Sequence, residues 1–192
     1  MEKHYDAVVI GTSAGGLFAL SAILDKIPVG YPIPVIIVQH RSKNENTLME
    51  EVLQTKCKVK VKQADEKEPI IGGMVYVAPP GYHLLIEHDR TFSLSCDAPV
   101  HYSRPSIDVL FETASCVYRN RLVAIILTGA NKDGAAGIAT VRKYGGTTIA
   151  QNPATAAYPF MPQSAIGTGK VQYVYDLDEI INFLCNTIQR DV

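Results

Sequence analysis

Val8-Val9-Ile10-Gly11-Thr12-Ser13-Ala14-Gly15-Gly16 decides the fold. Val8, Val9 and Ile10 read as a strand buried on both faces, since a half-exposed strand would alternate apolar with polar residues. Small residues follow, and then Leu17, Leu20, Ile23, Leu24 and Ile27 recur at helical spacing. Strand, tight turn and helix in direct succession form the opening unit of an open α/β sheet. The turn lies where such sheets hold their chemistry, past the carboxyl end of the strand. Three readings of the turn are open. Gly11, Ser13 and Gly16 fall at the three glycine positions of a dinucleotide fingerprint, with serine in the middle place. Gly11-x-Ser13-x-Gly15 fits a nucleophile elbow, which presents a serine hydroxyl at a helix N-terminus. The third reading is a βα turn that needs small residues for packing alone.

Composition narrows the class. Of 192 residues, 47% are apolar and 19% charged, as in a soluble globular protein with one full core, so one domain over residues 1–192 is expected. A net charge of -1 supplies no field to draw nucleic acid or a membrane surface. No apolar run approaches the ~20 residues of a membrane span. Met1 to Asp6 lead straight into the first strand, without the apolar core of a signal peptide. Cys57, Cys96, Cys116 and Cys185 include no Cys-x-x-Cys pair, which predicts reduced thiols, a cytoplasmic protein and no metal site.

Downstream of the turn, the pattern predicts a helix from Ala14 to Lys26, ending near Pro28. Val35 to Val38 form a second buried strand, closed by Gln39-His40. A dinucleotide site would want an acidic residue about there to bind a ribose hydroxyl. His40 stands in its place, which disfavours a nicotinamide or flavin enzyme and offers a base. A short helix is expected over Thr47 to Gln54, an edge strand over Val59 to Val61 and a strand over Met74 to Ala78, broken by Pro79-Pro80-Gly81. His83 to Glu87 and Thr91 to Ser95 read as a β-hairpin, expected at one side of a mainly parallel sheet. Ser106 is a candidate N-cap for a helix carrying Ile107, Leu110, Phe111, Ala114 and Val117. Leu122 to Leu127 is the longest apolar strand and is expected at the sheet's centre. It runs into Thr128 to Gly134, where Asp133 precedes a helix as an N-cap would. That helix holds Ile138 and Val141 and ends at Gly145-Gly146. Thr147 to Ala150 form a strand, Gln151 to Gly169 a long loop with at most one helical turn, and Val171 to Tyr175 a last strand. Asp176 or Asp178 caps a final helix. Alternating strand and helix imply a doubly wound, three-layer α/β/α fold.

Ser13, His40 and Asp133 then lie just past the ends of three expected parallel strands, at one edge of the sheet. A serine nucleophile needs an adjacent base, and the base needs a carboxylate to fix its tautomer. Each also has a plain structural reading: a hydrogen-bonded histidine, a helix cap, a packing turn. The order Ser, His, Asp differs from the Ser, Asp, His of the common α/β-hydrolases, while the triad itself is a matter of geometry.

The chain resembles the catalytic domain of the CheB-type chemotaxis protein-glutamate methylesterases. The resemblance rests on Ile10 to Gly16, Ile37-Val38-Gln39-His40, Val77 to His83, Arg104 to Phe111, Leu127-Thr128-Gly129, Asp133-Gly134-Ala135, Ala150-Gln151 and Met161-Pro162, in family order. It implies Ser13 as nucleophile, His40 as general base and Asp133 as orienting acid. It also implies hydrolysis of glutamate γ-methyl esters on the cytoplasmic helices of methyl-accepting chemoreceptors, with glutamine deamidation as a second activity and no cofactor. Backbone N–H groups at Ala14 and Ala130 are the expected oxyanion donors, and His83 is expected at the rim as a substrate contact or buttress. Three positions depart from the family: Ala14 follows the serine in place of threonine, and Ala130-Asn131 replace methionine and glycine. The family's N-terminal receiver domain has no counterpart here, so either a standalone enzyme or control by a separate response regulator is expected. A non-catalytic receptor-binding module with the same fold is the alternative.

Overall fold

The computed structural model describes residues 4–41 and 48–187. In chain order its elements are β1 (Ala7–Thr12), α1 (Gly16–Lys26), β2 (Val35–Gln39), α2 (Met49–Gln54), β3 (Lys60–Gln63), β4 (Met74–Val77), β5 (His83–Ile86), β6 (Phe92–Ser95), α3 (Ile107–Tyr118), β7 (Leu122–Ile126), α4 (Ala135–Lys143), β8 (Thr147–Gln151), α5 (Phe160–Gly167), β9 (Tyr173–Tyr175) and α6 (Leu177–Asn182). Seven strands pair in parallel in the order β3-β4-β2-β1-β7-β8-β9. The chain starts at β1, builds outward through β2 on one side and returns to β7 on the other. That reversal makes the carboxyl end of β1 a topological switch point, where open α/β sheets form a crevice.

Side-chain alternation along the buried strands divides the core. Val8, Ile10, Val35, Ile37, Val123 and Ile125 face a layer that includes Leu20, Ile23, Leu24, Ile180 and Leu184. Val9, Ile36, Val38, Ala124 and Ile126 face a layer that includes Ile107, Leu110, Phe111, Ile138 and Met161. Helices α1, α2 and α6 thus cover one face and α3, α4 and α5 the other. All six residues of β1 are buried, as a strand covered on both faces requires. Gly11 has no room for a side chain, because a Cβ there would enter Ile107 at the start of α3. This close approach sets the N-terminus of α3 against the end of β1.

Several elements differ from the sequence expectation. The central strand is β1, with β7 beside it, although β7 lies in the longer apolar run. The hairpin β5–β6 forms a two-stranded sheet of its own. It packs beside α3, where the Ile86 N–H donates to Thr113 Oγ1 at 3.2 Å. The expected loop after β8 contains a two-turn helix, α5. Its prolines are harmless there, since Pro159 precedes the helix and Pro162 lies in its first turn, where N–H groups have no intrahelical partner. Met161 and Ala165, four residues apart, supply its buried stripe. Helix α1 begins at Gly16 rather than Ala14. Of the expected helix over Thr47 to Gln54, Thr47 lies outside the described residues.

Candidate active site

Two neighbouring strands hold the Ser13 turn from both sides. The Ser13 N–H donates to Thr128 O at 3.0 Å, and Thr128 Oγ1 donates to Ala14 O at 3.0 Å. From β2, Gln39 Nε2 donates to Ser13 O and to His40 O, each at 2.9 Å, while the His40 N–H donates to Thr12 O at 3.1 Å. Bonds to the main chain, two of them from the Gln39 side chain, therefore clamp Ser13 and His40 as neighbours. Gly15 sits at φ 78°, a conformation that disfavours residues bearing a Cβ, and a Cβ at Gly16 would strike Thr12 and Gln39. The glycines serve the turn. Ser13 is half-buried, and its hydroxyl has no hydrogen-bond partner among the described residues.

His40 points to the other strand end. Its Nε2 lies 2.7 Å from Asp133 Oδ2, with the imidazole 10% and the carboxylate 0% exposed. Asp133 does not cap α4, whose N-cap is Gly134. It is held instead by the N-terminus of α3. Asp133 Oδ1 accepts from Ser106 Oγ at 2.9 Å and the Asp108 N–H at 3.1 Å, and Oδ2 accepts from the Ile107 N–H at 2.7 Å. These are N–H groups that a helix leaves unpaired, at its positive end. Burial by itself would raise the Asp133 pKa. The hydrogen bonds from His40, Ile107 and Asp108 outweigh it and hold the carboxyl below its ordinary range.

The second ring nitrogen of His40 faces Asn131, whose Nδ2 is 3.1 Å from His40 Nδ1. The orientation of that amide is decided by its other end, because Asn131 Oδ1 accepts the Asp133 N–H at 3.1 Å. Nδ2 must then be the donor toward Nδ1, so Nδ1 carries the lone pair and Nε2 carries the proton shared with Asp133. Ser103 Oγ stands near by, 3.5 Å from Nδ1 and 3.4 Å from Asn131 Nδ2. Neither Asn131 nor Ser103 was singled out as a site residue from sequence. The only signal was that Asn131 occupies a place where glycine is usual in the family that the chain resembles.

The remaining candidates take different places. The N–H groups of Ala14 and Ala130 have no acceptor among the described residues; Ala14 is half-buried and Ala130 exposed. His83 is 2% exposed and so does not stand at a rim. Its Nδ1 accepts the Ser106 N–H at 3.2 Å and its Nε2 lies 3.1 Å from Ala98 O, which puts it behind the residue that holds Asp133. Asp108 is also buried, with Oδ1 accepting the Gly137 N–H at 2.6 Å and Oδ2 3.4 Å from His101 Nε2. Its pKa is pushed up to about 6: burial raises it, the Gly137 N–H opposes, and the charge of Asp133 adds to the rise. Beside His40 a cavity of about 270 Å³ opens between Leu17, Leu48, Met49 and Val52, floored by Gln39 and by Arg41, which pairs with Glu50. Among the described residues no cluster of His, Cys, Asp and Glu could hold a metal ion, and no helix is long and apolar enough to cross a membrane. The four cysteines form no disulfide.

The family model for CheB methylesterase matches residues 8–184. The chain belongs to the CheB methylesterase family. A putative protein-glutamate methylesterase/protein-glutamine glutaminase of Leptospira interrogans is 48% identical over 98% of this chain and 98% of its own length. The protein-glutamate methylesterase/protein-glutamine glutaminase of Clostridium acetobutylicum is 34% identical over 96% of this chain, which spans 53% of that relative. Among solved structures, the catalytic domain of Thermotoga maritima CheB methylesterase superposes with a TM-score of 0.90 at 33% identity, over 94% of this chain and 97% of that one. The CheB fold accounts for the parallel sheet and its switch point. The contacts of Asn131 and Ser103 with His40 are read from this chain's own geometry.

Proposed function

We propose that this protein is a protein-glutamate methylesterase that hydrolyses glutamate γ-methyl esters on chemoreceptor helices through an acyl-enzyme at Ser13. The observation that carries the reading is the His40–Asp133 pair, an imidazole whose Nε2 meets a buried carboxylate held below its ordinary pKa range, at the end of the strand beside Ser13. In this mechanism Ser13 Oγ attacks the ester carbonyl while His40 Nδ1 takes its proton, and Asp133 stabilises the imidazolium across Nε2. The oxyanion develops near the N–H groups of Ala14 and Ala130, at the α1 end of the cleft. His40 then protonates the departing methoxide, and methanol leaves. Water, with His40 again as base, cleaves the acyl-enzyme and restores the glutamate carboxylate. A glutamine side chain follows the same route, with ammonia leaving in place of methanol. The whole of residues 8–184 acts as the catalytic domain. The names of the relatives support the substrate class.

The test is methanol release from methylated chemoreceptor by the purified protein. It is expected to disappear in Ser13→Ala, whose turn is held by bonds to its main-chain N–H and C=O that do not use the hydroxyl. A folded wild-type protein that releases no methanol, or a Ser13→Ala variant that releases it at the wild-type rate, overturns the reading.

A further inference from the structure

His40 has one basic lone pair, and in this structure that lone pair is already in use. Asp133 holds Nε2 from one side at 2.7 Å. On the other side the Asn131 amide, locked by the Asp133 N–H on its oxygen, donates to Nδ1 at 3.1 Å. The Ser13 hydroxyl makes no hydrogen bond to the ring. The carboxylate at Nε2 is enough to fix the tautomer, so the Asn131 contact is not needed for that purpose. The contact favours the neutral ring, whose Nδ1 accepts. It opposes the imidazolium of the transition state, whose Nδ1–H would meet a second donor. An interaction stronger in the ground state than in the transition state slows the chemical step.

We infer that Asn131 is a positioning residue that occupies the base nitrogen of His40 and so acts as a brake on proton transfer from Ser13. The inference rests on the reading of Ser13 and His40 as nucleophile and base. It goes beyond that reading in assigning a role to Asn131.

Two substitutions act in opposite directions. Asn131→Ala removes the competing donor and leaves four hydrogen bonds to hold the Asp133 carboxylate. Asn131→Asp keeps an acceptor for the Asp133 N–H and places a second acceptor against Nδ1. That nitrogen then becomes a donor and is lost as a base. The readout is the rate at which an aryl sulfonyl fluoride modifies Ser13: Oγ bonds to sulfur, fluoride leaves and His40 takes the proton. Asn131→Ala is expected to react about fivefold faster, the effect of losing one neutral hydrogen bond. Asn131→Asp is expected to react about tenfold slower or worse. Nitrogen NMR of the imidazole supplies a measurement independent of turnover: the wild-type protein should carry the His40 proton on Nε2, and Asn131→Asp should carry one on Nδ1. A wild-type ring protonated on Nδ1 alone overturns the inference. So does an Asn131→Ala rate equal to or below that of the wild type, or a Ser13 that reacts in neither protein. If Ser13 reacts faster in Asn131→Ala but neither protein releases methanol from methylated receptor, the brake stands and the methylesterase reading fails.

Discussion

Replacing Asp133 by asparagine tests the site at the point where most bonds converge. Two oxygens accept from four donors: Ser106 Oγ and the Asp108 N–H on Oδ1, the Ile107 N–H and His40 Nε2 on Oδ2. An amide in the same place can lie in two ways. With its nitrogen at the Oδ2 position it faces the Ile107 N–H and offers His40 a donor. The ring must then present a lone pair at Nε2 and move its proton to Nδ1, so no base remains for Ser13. The same change in a serine protease triad costs about 10⁴ in kcat. With its nitrogen at the Oδ1 position, the Ser106 hydroxyl turns to accept, the Asp108 N–H is left unpaired, and His40 keeps its tautomer. The imidazolium formed during reaction then loses its counter-charge, a charge-assisted bond whose loss is worth about 10²-fold. Asp133→Asn should therefore lower kcat by about 10² to 10⁴. In either orientation one buried N–H loses its acceptor, so urea unfolding should show a loss of about 1–3 kcal/mol. The assay is methanol release from methylated receptor by a variant shown to be folded. A kcat within tenfold of the wild type would refute the assignment of Asp133 as the group that sets the ring.

The two histidines should separate. His40→Ala removes proton transfer and is expected to cost on the order of 10³-fold or more in kcat, whereas His83→Ala, which strips the acceptor from the Ser106 N–H, should show mainly as about 1–3 kcal/mol of lost stability in urea unfolding. A larger activity loss in His83→Ala than in His40→Ala would reverse the assignment. Asp108 gives a pH signature whose sign follows from its raised pKa: the folded state binds its proton more tightly, so its contribution to stability is complete below about pH 4 and is lost as pH rises through about 6. Relative to Asp108→Asn, which can still accept from the Gly137 N–H, the wild-type protein should lose on the order of 2 kcal/mol over that interval in urea titrations; a difference that stays flat or grows with pH contradicts the burial argument.

Much of this protein was legible in its residues read in order. The apolar run at Val8 to Ile10, the small turn and the helical spacing from Leu17 to Ile27 specify strand, turn and helix because those periodicities belong to neighbouring residues. The same local logic located β2, β7 and β8, placed Ser106 as a cap, and put Ser13, His40 and Asp133 just past strand ends. Helix α5 escaped because prolines that mark a loop elsewhere are tolerated in a first helical turn.

The tertiary structure alone decided which of these groups meet and through which atoms. His40 and Asp133 are 93 residues apart, and their contact depends on β2 and β7 flanking β1, a fact of strand order that no local pattern records. Asp133 resembled a cap for the helix that follows it. It became the acceptor for α3 because the absence of a side chain at Gly11 lets the start of α3 press against the end of β1. His83, expected at the rim, is buried behind Ser106. Asn131 took the free nitrogen of His40 because its oxygen was already committed to the Asp133 N–H. Secondary structure follows from short-range periodicity, whereas a tautomer, a carboxylate's charge and a base's access depend on donors brought from distant segments to within about 3 Å.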